Sequence, residues 1–282
     1  MARSVRAKTA KRSDPTRPYR IAPGAQVDLH RIDSDDRSAF RGGKAVGRAR
    51  LLEINARIEA LQEAMYAERR HRLLVVLQAM DAGGKDGTIR SVFEGVNPQG
   101  VRVKCFKAPT SEELAHDFLW RVHPHVPGVG EMAIFNRSHY EDVVAVRVRG
   151  LVPEQRWRAR YAQINAFEAM LAAEGTTILK FFLHISKEEQ RERLQARIDD
   201  PKKRWKFNAG DLEERARWDE YMRAYGDAIA ATSTKVAPWY VVPADRNWYR
   251  DCVIGSVIVA ALEAMDIQLP CGQVGLEGQI VS

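Results

Sequence analysis

The chain has little of what would place it outside ordinary globular chemistry. It has only three cysteines in 282 residues, Cys105, Cys252 and Cys271. They are scattered, odd in number and without metal-ligand spacing, which argues against a disulfide framework and suits a reducing compartment. No stretch approaches the roughly 18 apolar residues that a membrane helix needs. The N-terminus lacks an apolar segment of signal-peptide type. A cytoplasmic protein with no membrane partner is therefore expected. There is no internal repeat and no sign of a second core, so 282 residues suffice for one large α/β domain.

Net positive charge is also scarce outside one place. The formal net charge is +7, but residues 1–20 hold seven Lys/Arg and one acid, leaving the other 262 residues with a net charge of +1. The basic tail reads as a solvated segment, with binding of nucleic acid or another polyanion as the competing reading. Any anion site in the body of the chain must then come from local arrangement.

Past a polar, irregular stretch ending near residue 45, leucines and isoleucines at helical spacing predict a helix over 48–70. Short apolar runs predict strands at 73–77, 101–106, 132–135, 177–183 and 239–242. Helices are predicted between them, including 156–174 and 246–266. Thr110 with Glu113, Ser186 with Glu189, and Asp211 with Glu214 have the spacing of helix N-caps, and Asp245 reads as the cap of the last helix. Strands separated by helices pair in parallel through right-handed crossovers. The expected fold is a three-layer α/β/α domain of about five strands over 46–270, preceded by a tail and irregular extension (1–45) and followed by a short tail (271–282).

The strongest local signal is the run Leu73-Leu74-Val75-Val76-Leu77-Gln78-Ala79-Met80-Asp81-Ala82-Gly83-Gly84-Lys85-Asp86-Gly87-Thr88. A buried strand enters a glycine-rich turn and a helix follows. Such a turn lets successive N–H groups face one anion, and the helix N-terminus adds partial positive charge. Lys85 is placed to reach a transferred phosphate. Ala79 stands where the nucleotide-binding loop pattern has its first glycine, and Asp86 where it has Ser or Thr. Asp81, at the strand end, is the candidate for Mg²⁺ binding or for a base. Phosphate or nucleotide contacts are expected from Ala82, Gly83, Gly84, Asp86, Gly87 and Thr88.

The second strand end reads Phe135-Asn136-Arg137-Ser138-His139-Tyr140-Glu141-Asp142. An acid usually ends this strand to hold magnesium. Asn136 brings no charge, so metal binding leans on Asp81, the phosphates, or Glu141 and Asp142. Arg137 points from a strand end toward the crevice where α/β ligands collect, and suits charge on transferring phosphoryl oxygens. His139 beside Tyr140 reads better as a packed hydrogen-bonding residue than as a catalyst.

A local basic cluster, Lys202-Lys203-Arg204-Trp205-Lys206-Phe207, follows Asp200-Pro201 and a helix carrying Arg191, Arg193 and Arg197. The whole segment 187–217 is nearly balanced, with ten Lys/Arg against eight acids. It reads as a lid that closes over phosphates and excludes water. Lys203, Arg204 and Lys206 are its candidate phosphate ligands.

Together the phosphate loop, Gly95-Val96-Asn97-Pro98-Gln99-Gly100, Phe106-Lys107-Ala108-Pro109-Thr110, Asp117-Phe118-Leu119-Trp120-Arg121, the Asn136–Val143 run and the lid cluster resemble the second polyphosphate kinase family over roughly 45–266. The resemblance implies a thymidylate-kinase-like fold and Mg²⁺-dependent, reversible phosphoryl transfer from inorganic polyphosphate to a nucleotide. It places the family's motif positions on Asp81, Lys85, Arg137 and Arg197. The family's first class has Asp where this chain has Asn136; the Asn form is similar to the class acting on both AMP and ADP, giving ADP and ATP. The family also implies a homo-oligomer, dimer or tetramer. Two other readings stand beside it: an ATP-dependent nucleoside monophosphate kinase, and a non-catalytic polyanion or nucleic-acid binder.

Overall fold

The computed structural model describes residues 16–271. In chain order these form α1 (Lys44–Glu68), β1 (Arg72–Gln78), α2 (Lys85–Val92), β2 (Val101–Cys105), α3 (Ser111–Ala115), β3 (Met132–Asn136), α4 (Ala145–Val148), α5 (Glu154–Ala173), β4 (Thr176–His184), α6 (Lys187–Asp199), α7 (Gly210–Ala216), α8 (Trp218–Thr232), β5 (Trp239–Pro243) and α9 (Asn247–Ala264). The five strands make one parallel sheet in the order β2-β3-β1-β4-β5. Central strands of a parallel sheet are covered on both faces, which is why Leu73, Leu74, Val75, Val76 and Leu77 form an unbroken apolar run and are all buried. Among the described residues no helix is long and apolar enough to cross a membrane.

Each predicted strand is present within a residue or two of its expected ends. α1 starts one turn earlier than its apolar pattern suggests, at the N-cap Gly43, and ends at Arg69 in the left-handed region (φ 52°). Thr110 and Glu113 form a reciprocal capping box on α3, and Ser186 caps α6 through the Glu189 amide. Two expected caps are corrected. Asp211 lies inside the first turn of α7, whose N-cap is Ala209. Asp245 does not cap α9; its carboxylate accepts from the Ser186 amide and the Ser34 hydroxyl, both at 2.8 Å, and Arg246 is the N-cap. A partly buried carboxylate is better satisfied by those fixed donors than by a helix end open to water.

The extension before α1 is irregular, as expected, but it is not loose. The Ile21 amide donates to the Trp239 carbonyl at 2.8 Å and Ser233 Oγ donates to the Ile21 carbonyl at 2.7 Å, so residues 20–21 run along the β5 edge. Tyr19 is buried, its hydroxyl between Asp36 and the Tyr249 hydroxyl. Arg17 and Arg20 thus belong to a packed strap rather than to a solvated tail. The other tail cations, Arg3, Arg6, Lys8, Lys11 and Arg12, lie outside the described residues, as do residues 272–282.

The order β3-β1-β4 fixes where chemistry is possible. Leu77 pairs with Asn136 on one side and Phe181 on the other. The loops leaving β1 and β3 therefore rise side by side at the carboxyl end of the sheet, where an open α/β sheet has its crevice.

Candidate active site

The loop from β1 bends through two left-handed residues, Ala82 (φ 59°) and Gly84 (φ 99°). Gly84 is the N-cap of α2 and no side chain caps that helix, which leaves its first N–H groups facing the crevice. A Cβ on Gly84 would stand 2.1 Å from Arg250 Nη1, so the close approach of that guanidinium requires glycine as much as the positive φ does. Ala82 tolerates the left-handed region at a cost of about 1 kcal/mol or more, a strain of the kind that gathers at ligand loops.

Lys85 begins α2 and folds back toward the loop, where its Nζ donates to the Ala79 carbonyl at 2.9 Å. Burial lowers its pKa, the Arg137 charge adds to that effect, and Asp81 opposes it. Asp81 accepts from Arg137 Nη2 at 2.7 Å, and its backbone carbonyl accepts from Gln190 at 3.0 Å. Burial pushes the Asp81 carboxyl up, but Lys85, a hydrogen bond shared with Glu214 and the Arg137 guanidinium hold it below the usual carboxylate range. Glu214 shifts the other way. Burial and then Asp81 push Glu214 up to about 7, against the pull of Arg149. The two carboxyl groups are thus pushed apart, Asp81 down by neighbouring cations and Glu214 up by burial and by Asp81.

Arg137 follows β3 in the left-handed region (φ 62°). Its burial opposes charge, yet Glu141 and Asp81 raise its pKa above the ordinary arginine value. Asn136 is buried and donates to Asp86 Oδ1 at 2.6 Å, tying the end of β3 to the first turn of α2. Of the two acids that follow, Glu141 acts on Lys85 and Arg137, whereas Asp142 is paired with Arg160 at 3.3 Å, away from the crevice. His139 is buried with its Nε2 3.3 Å from Glu168, packed as its position suggests.

Above the loop stands α6. Arg197 Nη1 lies 3.3 Å from Asp211 Oδ2 and 3.3 Å from the Lys206 carbonyl, joining α6, the 3-10 turn Arg204–Lys206 and α7. Lys203, Trp205 and Lys206 border the crevice, and Trp205 is 79% exposed. The crevice has a volume of about 930 Å³, lined by nine Lys/Arg side chains and four aspartates.

Most expected site residues meet here: Asp81, Ala82, Gly83, Gly84, Lys85, Asp86, Gly87, Asn136, Arg137, Arg197, Lys203 and Lys206 all line it. Two do not. Thr88 is fully buried on the inner face of α2, near Asp251 of α9, because the third residue beyond Lys85 turns to the helix face packed on the protein. Arg204 donates to the Ile198 carbonyl at 2.8 Å and secures the end of α6. Sequence reasoning in turn missed Arg193, Arg250 and Glu214. Arg193 donates to the Ala82 carbonyl at 3.2 Å and the Ala244 carbonyl at 2.7 Å. It lies one helical turn before Arg197, and that spacing was its signal. Arg250 is buried, held by Asp251 and Asn247 at 2.8 Å each. Its signal was a charged pair, Arg250-Asp251, opening an otherwise apolar helix.

Known proteins resemble this chain over most of its length. The family model "Polyphosphate kinase 2" matches residues 42–270. An AMP/ADP-polyphosphate phosphotransferase of Meiothermus ruber is 61% identical over 252 residues, spanning 89% of this chain and 94% of that protein. An ADP-polyphosphate phosphotransferase of Rhodopseudomonas palustris is 41% identical, over 90% of this chain and 92% of its own. The crystal structure of polyphosphate kinase 2 from Arthrobacter aurescens TC1 superposes with a TM-score of 0.88 at 44% identity, covering 92% of each chain. With its phosphate loop, paired strand ends and arginine-rich roof in one crevice, the chain belongs to the polyphosphate kinase 2 family.

Proposed function

We propose that this protein transfers phosphoryl groups reversibly from inorganic polyphosphate to AMP and ADP, giving ADP and ATP. The observation that carries the reading is the excess of nine cations over four acids around a phosphate loop, in a crevice large enough for two phosphorylated partners. The names of the relatives from M. ruber and R. palustris support polyphosphate as donor, and the former supports both AMP and ADP as acceptors.

Each residue has a physical task in this reading. The N–H groups opening α2 and the left-handed loop bind phosphate oxygens, and Lys85 meets the transferred group as a point charge. Arg137 and Arg197 stabilise charge spread over that group from β3 and α6. Asn136 orients Asp86. Lys203 and Lys206 attract the polyanion at the rim. Asp81 is the metal-facing carboxylate. Among the described residues no three His, Cys, Asp or Glu side chains are grouped to hold a metal by themselves. One or two carboxylates beside phosphate oxygens suit Mg²⁺, a hard ion that keeps much of its water. When bound, Mg²⁺ neutralises charge between the phosphates of donor and acceptor. We place the catalytic unit at 46–270 with 187–217 as its lid. A cytoplasmic location and a dimer or tetramer belong to the same reading on the family resemblance, and light scattering tests the latter.

The deciding experiment offers AMP or ADP with polyphosphate or a nucleoside triphosphate as the only donor, and follows product by ion-exchange chromatography. Formation of ADP and ATP with polyphosphate alone is expected. Turnover with ATP as the only effective donor identifies an ordinary nucleoside monophosphate kinase instead, and no turnover with either leaves a binding protein.

A further inference from the structure

A buried polar cluster outside the crevice takes no part in the chemistry described so far. Lys180 of β4 and Glu168 of α5 are paired at 2.5 Å, and both are buried. The Tyr140 hydroxyl joins the pair, accepting from Lys180 Nζ at 2.8 Å and donating to Glu168 Oε1 at 2.9 Å. Lys180 also donates to the Thr232 carbonyl at 2.8 Å, and Thr232 Oγ1 accepts from the Trp239 indole at 2.9 Å. The Tyr140 ring meets Trp239 edge-on, with 4.7 Å between centroids. A satisfied network of this kind, in low dielectric, is stiff.

The cluster holds the 3-10 turn His139–Asp142, which begins two residues after Arg137. His139 Nε2 lies 3.3 Å from the same Glu168 oxygen that Tyr140 reaches. Ser138 is the N-cap of the turn. Its Oγ accepts from the Tyr140 amide at 3.2 Å and lies 3.1 Å from the side-chain amide of Gln78, at the end of β1. Arg137 itself has a φ of 62°, with its amide donating to the Leu77 carbonyl at 3.1 Å. A non-glycine residue in that region persists where its surroundings over-determine it. The chain before Arg137 is fixed by strand pairing, Leu77 with Asn136. The chain after it is fixed by this turn.

We propose that Tyr140 is a positioning residue for phosphoryl transfer: anchored by the Lys180–Glu168 pair, it holds the turn that aims the Arg137 guanidinium at the transferred group. The inference rests on the function proposed above and deepens it. The Arg137 side chain is 39% exposed and keeps its place in the crevice through one contact with Asp81, at 2.7 Å. A long side chain with that freedom meets charge reproducibly only if the backbone beneath it does not move. Preorganised charge costs no reorganisation at the moment of reaction, and a misplacement of about 1 Å originating far from the chemistry can slow a step on the order of a hundredfold.

The test is a double-mutant cycle between Tyr140→Phe and Arg137→Ala, with AMP and polyphosphate as substrates and single-turnover kinetics for the slow variants. Tyr140→Phe keeps the ring on Trp239 and removes only the hydroxyl. It is expected to lower kcat on the order of ten- to a hundredfold while both KM values stay near wild type. In the Arg137→Ala background the same change should cost less than about twofold, because the group it positions is gone. Ser138→Ala, which cuts the cap of the same turn without touching the buried pair, should give the same pattern, and it carries the cycle alone if Tyr140→Phe does not fold. Thermal unfolding shows which variants are folded. Costs that multiply in the double variant, a loss expressed in KM, or a wild-type kcat in the folded single variants overturns the positioning role and leaves polyphosphate as the donor. A wild-type protein that transfers nothing from polyphosphate overturns the functional reading itself, and the inference with it.

Discussion

At the crevice floor Lys85 is a cation among hydrogen-bond acceptors that cannot neutralise it, with Arg137 close by and Asp81 its counter-charge. A transferring phosphoryl group, rich in negative charge, relieves that tension best. Lys85→Ala should therefore cost on the order of 10²–10³ in transfer rate with little loss of fold. Rapid-quench kinetics beside circular dichroism checks this, and a rate within a few-fold of wild type removes Lys85 from the phosphate site. Asn136→Asp asks a different question. The amide now donates to Asp86 at 2.6 Å; a carboxylate there would oppose Asp86 directly. The metal-free variant should lose about 1–2 kcal/mol of stability, and Mg²⁺ should raise its melting temperature more than that of wild type, because two facing carboxylates suit a divalent cation. Equal Mg²⁺ responses in differential scanning fluorimetry count against a metal near Asp86. Residues of this kind were legible where a strand, a glycine turn and a lysine follow one another in sequence. Thr88 and Arg204 fall outside the crevice lining because sequence shows that a residue is near a site and not which way its side chain turns. Glu214 was invisible as a site residue, since its shift comes from burial and then from Asp81, more than a hundred positions earlier.

Between elements, the pair Lys180–Glu168 is an ion pair buried at both ends. Lys180 on β4 donates to Glu168 of α5 at 2.5 Å, to the Tyr140 hydroxyl at 2.8 Å and to the Thr232 carbonyl at the end of α8, also at 2.8 Å. Burial lowers the Lys180 pKa despite its partner, whereas Glu168, which burial alone would raise, is held below its usual value first by Lys180 and then by His139. We weigh the pair as charged, since three hydrogen bonds satisfy the ammonium. Lys180→Met should cost about 3–5 kcal/mol at neutral pH by leaving a buried carboxylate uncompensated. Because the folded Glu168 pKa is depressed, its contribution to wild-type stability is complete above the unfolded carboxylate pKa and is lost as pH falls through the folded one. The difference between wild type and variant should accordingly shrink in acid, as urea titrations at several pH values will show; a difference constant with pH contradicts the charged pair. The strap before α1 gives a second test. A chain lacking residues 1–22 forfeits the Tyr19 and Ile21 contacts, whereas one lacking 1–15 retains every described contact. The longer deletion should melt about 6–12 °C lower, the shift for roughly 3 kcal/mol in a domain of this size. Indistinguishable melting curves would mean that the strap adds nothing. The strap was not legible because it has no periodicity. It is fixed by single contacts to Trp239 and Tyr249, each supplied by the fold rather than by its own pattern. The strands, by contrast, announced themselves through continuous apolar runs.

The whole molecule places its central strand early in sequence and its partners late. β1 ends at Gln78, but its neighbours are β3 and β4, some sixty and a hundred residues further along the chain. The order of the sheet was legible only as parallel and crossover-linked; which strand lay beside which is decided by the packing of helices on both faces. The same topology explains why a crevice exists at all, since the chain leaving β1 runs to β2 on one side whereas the chain leaving β3 crosses to β4 on the other. It also sets a timetable. The loop after β1 is made early, but one of its walls arrives late: the Arg250 guanidinium that packs on Gly84 belongs to the last helix. Contacts this distant in sequence form slowly. During refolding from urea, helical circular dichroism should therefore recover before the ability to bind a fluorescent polyphosphate, which should return only with the slowest phase. A chain ended before Asn247 should acquire helix but never that binding. On the function proposed above, a nascent protein of this design should stay inert toward its anionic ligands until synthesis has passed residue 251, so that competence would come only with a chain that carries the last helix.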